Sequence, residues 1–89
     1  MTKETELKHA IKDYLKINHV FNFPILQGLA AYKGIPDRIA IKDGVAYALE
    51  VKAPKGKMSE YQIAFKQDWE AGGGVYLEVR QIEDLFKYF

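Results

Sequence analysis

Apolar residues recur every three or four positions over residues 2–17, which predicts an amphipathic helix. The apolar positions of its inward face are Leu7, Ile11, Tyr14 and Leu15. Glu4 lies three residues before Leu7 and therefore shares that face, whereas Glu6 points roughly the opposite way. The pattern thus assigns different environments to two acidic residues of one helical turn.

The middle of the chain and one later segment have the composition of β-strands. Strands are predicted over residues 20–25, 35–41, 45–53 and 75–79, with a loop over residues 27–34. Pro24 lacks an N–H donor, so the first of these strands is expected at a sheet edge. Asp43-Gly44 separates the second and third strands, which is typical of a β-hairpin.

The second half of the chain predicts two more helices. Ser59 and Gln62 have the spacing of a capping box, so a helix is expected to begin at Ser59 and to end at Gly72–Gly74. A short terminal helix is predicted over residues 82–89, with inward side chains from Ile82, Leu85 and Phe86. The order α-β-β-β-α-β-α predicts one α/β domain over residues 1–89, a central mixed sheet flanked by helices.

Composition narrows the class of protein. A hydrophobic share of 48% favours a globular domain, and the absence of cysteine excludes disulfides and thiolate zinc sites. His9 and His19 are the only histidines, which disfavours a histidine-rich metal site. The apolar stretch over residues 20–32 is interrupted and too short for a bilayer, and no signal peptide is evident, so we expect a soluble cytoplasmic protein without a membrane partner. The formal charge of +1 gives no global attraction to nucleic acid.

Two carboxylates and one ammonium group are expected to meet at one end of the hairpin. Asp37 opens the first hairpin strand, and Glu50 and Lys52 lie two residues apart in the second, on the same face. Adjacent carboxylates repel each other unless a cation lies between them, and Mg²⁺ suits oxygen ligands such as Asp37, Glu50 and the Val51 carbonyl. Lys52 would then orient the attacking water or stabilise negative charge on a phosphate.

A simpler interpretation of these residues is also open. Glutamate and lysine two apart on a strand are commonly a solvated pair, and aspartate after proline commonly serves a turn. The apolar neighbours Ala48, Leu49 and Val51 favour the functional interpretation, because unpaired charge beside a buried strand is costly.

The ordered set Gly34-Ile35-Pro36-Asp37, Glu50-Val51-Lys52 and Gln62 resembles the PD-(D/E)xK nuclease superfamily, and within it the compact stand-alone VRR-NUC domains. The resemblance implies a restriction-endonuclease-like fold and Mg²⁺- or Mn²⁺-dependent cleavage of DNA. It makes Asp37 and Glu50 the metal-binding acids, Lys52 the motif lysine and Gln62 a glutamine lining the site. The first-helix glutamate of the family falls on Glu4, or on Glu6 in another helix register. A capping role alone for Gln62 and a helix-dipole role alone for Glu4 are the alternatives.

The resemblance also implies a homodimer that acts on branched DNA such as four-way junctions. The compact chain fits a phage, a mobile-element or a host repair protein, and the sequence does not distinguish these origins. Basic residues near the site are expected to contact DNA: Lys33, Arg38, Lys55 and Lys57, with further lysines on the first helix. The alternatives are a DNA-binding module that is inactive or needs a partner subunit, and a restriction-type enzyme, for which there is little room for base readout. We therefore expect recognition of DNA shape.

Overall fold

The computed structural model describes residues 2–28 and 31–89, which form a four-stranded mixed sheet and two α-helices. In chain order the elements are α1 (Lys3–Ile17), β1 (Phe21–Pro24), β2 (Arg38–Lys42), β3 (Val45–Val51), α2 (Glu60–Ala71), β4 (Val75–Val79) and a 3₁₀ helix (Ile82–Leu85). This confirms the predicted α/β class and mixed sheet. Neither α-helix of these residues is both long and apolar enough to cross a membrane.

The strands follow one another across the sheet in the order β1-β2-β3-β4. The β1–β2 and β2–β3 pairs are antiparallel, and β3 and β4 are parallel and joined through α2. Asp43 and Gly44 have φ angles of 52° and 79°, the left-handed conformation that a tight hairpin turn requires at both central positions. The predicted hairpin and the predicted edge position of β1 are therefore both confirmed.

Each face of the sheet packs against one helix. Ile11 and Leu15 of α1 lie fully buried against Leu49 and Val51 of β3. On the opposite face, Ala48 belongs to a smaller apolar cluster that is covered by α2; its other members include Ile39, Tyr76, Phe65 and Trp69. Because side chains alternate along a strand, Glu50 lies on the same face as Ala48 and is directed towards α2.

The predicted start of the second strand and the predicted end of the third were wrong. Asp37 lies one residue before β2 and Lys52 one residue after β3, so neither is inside a strand. Pro36 has no N–H to donate, which keeps regular pairing from starting earlier. The predicted loop over residues 27–34 has no helix or strand where it is described, and its Leu29 and Ala30 lie outside the described residues.

The terminal helix is four residues of 3₁₀ helix rather than an α-helix through Phe89. The Asp84 carboxylate accepts hydrogen bonds from two preceding backbone N–H groups and tightens this turn. Tyr88 and Phe89, which follow the 3₁₀ turn, pack edge-on against Tyr47. Leu85 is buried as predicted, but Phe86 is 55% exposed, so its predicted inward position was wrong.

Candidate functional site

The ends of β2 and β3 bring Asp37, Glu50 and Lys52 to one place. The backbone N–H of Asp37 donates to the Leu49 carbonyl at 3.1 Å, and its carboxylate Oδ2 accepts from the Val51 N–H at 2.8 Å. The Asp37 side chain is thereby fixed across the end of β3. Lys52 Nζ lies 3.8 Å from Glu50 Oε1. The structure thus places together the trio that hairpin pairing predicted.

Glycine at position 34 allows the segment before Asp37 to approach α2 closely. Gly34 has a φ of 81°, and a Cβ at this position would lie 2.1 Å from the carbonyl oxygen of Tyr61. Only glycine meets both conditions without a shift of the backbone. Two residues later Pro36 is fully buried. The Gly-x-Pro-Asp sequence therefore has a physical role, which is to anchor Asp37 between the sheet and the first turn of α2.

Glu50 is a buried carboxylate, only 3% exposed. Burial raises the pKa of Glu50 to about 8, and the nearby Asp37 carboxylate adds to the rise, while Lys52 and Lys8 oppose it. Glu50 Oε1 accepts a hydrogen bond from Gln62 Nε2 at 3.1 Å. Glu50 Oε2 is buried and has no hydrogen-bond partner among residues 2–28 and 31–89. An unpaired carboxylate oxygen beside a second carboxylate is an arrangement that a cation stabilises.

Gln62 serves both the helix and the site. Its Oε1 accepts from the Ser59 N–H at 2.9 Å, and its own N–H donates to Ser59 Oγ at 3.2 Å, so the predicted capping box is confirmed. Its Nε2 remains directed at Glu50. The two interpretations of Gln62 are therefore compatible, because each uses a different atom of the amide.

The two acidic residues of α1 differ as their spacing predicts. Glu4 Oε1 accepts from the Ala53 N–H at 3.2 Å, next to Lys52, whereas Glu6 is exposed. Glu4 thus reaches the end of β3 and holds the residue that follows Lys52. The structure favours Glu4 over Glu6 as the first-helix acid that contacts the site.

Lys8 is one of the first-helix lysines that were expected to contact DNA, and the structure places it beside Asp37, which the sequence did not predict. Its Nζ lies 3.4 Å from Asp37 Oδ1, and its side chain is 48% exposed. Lys8 follows Glu4 by one helical turn and so shares its face, which is the signal that marks it. In this structure its ammonium group is one of the positive charges beside the two carboxylates.

Arg80 is a second residue that the sequence did not reveal. Its guanidinium donates to the carbonyls of Ala53 and Gly56, each at 2.8 Å, and to Glu78 Oε2 at 3.0 Å. The turn after Lys52 is therefore held by Arg80 at a carbonyl of Ala53 and by Glu4 at its N–H. No motif identifies Arg80, because its proximity to β3 depends on the parallel register that pairs Val51 with Val79.

The four predicted DNA contacts lie on different parts of the fold. Lys55 and Lys57 are exposed on the turn after Lys52. Lys33 Nζ lies 4.7 Å from the centre of the Tyr61 ring, against the first turn of α2. Arg38 instead lies on the α1 side of the sheet, where it donates to Asn22 Oδ1, and partial burial lowers the pKa of its guanidinium.

The donor set at this site fits a hard cation with few protein ligands. Asp37 and Glu50 are the two carboxylates at this site, and in the described part of the chain no three side chains of His, Cys, Asp or Glu converge as a metal cluster. Mg²⁺ is commonly held by one or two carboxylates, with water and phosphate oxygens as its remaining ligands. The unpaired Glu50 Oε2 is consistent with such a ligand role.

No protein-family model matches the chain, and no curated protein and no solved structure matches it. The functional assignment therefore depends on the geometry of the site and on the residues that resemble a nuclease motif.

Proposed function

We propose that this chain is a metal-dependent nuclease with a PD-(D/E)xK fold of the VRR-NUC type, which hydrolyses DNA phosphodiester bonds. The observation that carries the proposal is the environment of Glu50. Glu50 is a buried carboxylate next to Asp37, with Oε1 3.8 Å from Lys52 Nζ and Oε2 unpaired among the described residues, which is unfavourable in a purely structural role. This arrangement is favourable where a divalent cation and a phosphate bind.

In this proposal Mg²⁺ or Mn²⁺ is held by Asp37, Glu50 and the Val51 carbonyl. When bound, the ion supplies Lewis-acid polarisation of a phosphodiester and lowers the pKa of a water molecule. Gln62 keeps the Glu50 carboxylate in place through its hydrogen bond. Lys52 donates from its ammonium group to the attacking water or to the phosphate oxygens, where negative charge develops.

We further propose that the enzyme acts as a homodimer on branched DNA such as a four-way junction. A domain of 89 residues has a small binding surface, whereas a twofold dimer presents two sites to two strands. The edge strand β1 carries Phe21 and Phe23, which are 67% and 42% exposed, and so supplies apolar surface for a second copy.

Cleavage assays on four DNA structures test the proposal. A four-way junction, a flap, linear duplex and single-stranded DNA are each incubated with Mg²⁺, Mn²⁺ or EDTA. We expect paired, symmetric nicks in the junction that need the metal and stop in EDTA. The absence of cutting on every substrate, with DNA binding retained, would contradict the enzymatic assignment.

One observation favours a second candidate, a DNA-binding module that is inactive or needs a partner subunit. Lys8 Nζ lies 3.4 Å from Asp37 Oδ1 and supplies a positive charge where a cation would otherwise be needed. Calorimetry with Mn²⁺ separates the two candidates. The nuclease predicts Mn²⁺ uptake that is lost in Glu50→Gln, and the binding module predicts no such uptake by either protein.

A further inference from the structure

A row of lysines lies along one side of α1. Lys8, Lys12 and Lys16 recur every four residues, so they project from the same side of the helix with a spacing of about 6 Å per step along its axis. Lys12 and Lys16 are exposed, and within the described ranges neither forms an ion pair. Their charges are therefore available to a partner molecule.

Three clefts that share lining residues form a groove beside this row and the candidate active site. Its outer part is a cleft of about 500 Å³ between Lys12, Lys16, Arg38 and the edge strand β1. A second cleft, of about 240 Å³, is lined by Lys8, Lys12 and Arg38. A third, of about 170 Å³, is lined by Lys8, Arg38 and Asp37. Arg38 lines all three clefts, so they adjoin one another at this residue, and the third is also lined by Asp37 of the candidate site.

The charge of the groove indicates which kind of molecule it binds. Its lining includes four basic side chains, and Asp13 is the acidic residue among them outside the site itself. The Arg38 guanidinium is partly buried and held by Asn22 Oδ1, so little side-chain entropy is lost when it contacts an anion. A regularly spaced basic row fits a polyanion with repeating charges.

We infer that this groove binds the phosphate backbone of the nucleic-acid strand next to the cleaved bond, through Lys8, Lys12, Lys16 and Arg38. The inference rests on the proposed function, because a groove that adjoins a phosphodiester-cleaving centre must accept the rest of the same strand. That continuity favours nucleic acid over an acidic protein. The groove adds a binding surface on α1 to the exposed lysines Lys55 and Lys57 of the turn after β3.

The salt dependence of DNA binding tests the groove directly. Binding of labelled duplex DNA is measured in EDTA, without cleavage, over a range of salt concentrations for Lys12→Gln, Lys16→Gln and the parent protein. Each lost phosphate contact should reduce the slope of log K against log salt by about 0.9. Lys87→Gln is the matched control, since Lys87 lies in a separate cleft with Glu78, Glu83 and Asp84 and should leave the slope unchanged.

Arginine variants at the same positions keep the positive charge and serve as controls for effects of substitution on folding. Lys12→Arg and Lys16→Arg should retain the slope of the parent, and melting curves show whether each glutamine variant is folded. Slopes of the glutamine variants equal to that of Lys87→Gln would overturn the inference. A parent protein that binds no DNA at any salt concentration would instead contradict the proposed function, so the two failures are distinguishable.

Discussion

At Glu50 a carboxylate lies in the interior, with one oxygen 3.1 Å from Gln62 Nε2 and the other without a partner among the described residues. Burial of this unpaired oxygen is unfavourable, but the contacts around Glu50 keep the residue in the interior. Leu49 and Val51 on either side are buried against α1, so the strand cannot turn Glu50 to solvent. A proton or a cation is what relieves the unfavourable environment.

The pH dependence of stability follows from this environment. In the folded protein the pKa of Glu50 is about 8, against an ordinary value of 4.5. Between these values the folded state binds more protons than the unfolded state, so the free energy of unfolding falls as pH rises from about 4.5 to about 8. Burial is the largest cause of this rise and the Asp37 carboxylate adds to it, whereas the charges of Lys52 and Lys8 lower the pKa of Glu50.

Glu50→Gln should therefore be more stable than the parent protein at pH 8 in EDTA, by at least about 1 kcal/mol. At pH 5 the difference should be much smaller, because the parent is then protonated at Glu50. Urea unfolding of both proteins in EDTA at pH 5 and pH 8 measures this difference in the free energy of unfolding. An equal difference at both values would show that the Glu50 carboxyl does not titrate in this range.

At the scale of elements, the first turn of α2 combines a structural and a functional task. Ser59 caps the helix, and Gln62 both completes the capping box and holds Glu50. The two tasks are separable by mutation, because Ser59 takes part in only one of them.

Ser59→Ala should lower the free energy of unfolding by about 1 kcal/mol through loss of the cap, with little change in the cleavage rate. Gln62→Ala should lower stability by a similar amount and also reduce kcat, since Glu50 loses its hydrogen bond. Parallel unfolding and single-turnover cleavage measurements compare the two variants. Equal loss of kcat in both would assign Gln62 to the cap alone.

The turn after β3 depends on Arg80 in a similar way. Arg80 donates to the carbonyls of Ala53 and Gly56, while Glu4 accepts from the Ala53 N–H. These contacts position the segment that begins with Lys52.

Arg80→Ala should reduce kcat by about 10- to 100-fold, because small displacements of a reacting group have effects of this size. Arg80→Lys should have a kcat nearly as low as that of Arg80→Ala, since a single ammonium group cannot reproduce the planar fork of the guanidinium. Guanidinium added to Arg80→Ala should recover part of the rate. If both variants cut at the parental rate, the turn does not position Lys52.

At the scale of the whole molecule, sequence motifs made of neighbouring residues predicted more of the structure than did patterns between distant residues. The Asp43-Gly44 turn and the Ser59–Gln62 capping box depend on neighbouring residues, and both were predicted correctly. Hairpin pairing then placed Asp37 near Glu50 without any further information.

The roles of other site residues could be identified only from the tertiary structure. The role of Arg80 follows from the parallel pairing of β3 with β4, and that of Lys8 from the docking of α1 on the sheet. The terminal segment differs because Tyr88 packs on Tyr47, a contact that its own periodicity does not encode. The separation of Arg38 from Lys33 likewise depends on which helix covers which face.

The central claim is that the Asp37–Glu50–Lys52 centre cuts DNA with the help of a metal ion. Asp37→Asn tests it most directly, because the amide keeps the size of the side chain and an oxygen for the Val51 N–H while removing the charge. The account predicts loss of Mg²⁺- and Mn²⁺-dependent cleavage, with folding and DNA binding in EDTA retained. Cleavage by Asp37→Asn at the rate of the parent protein would contradict it.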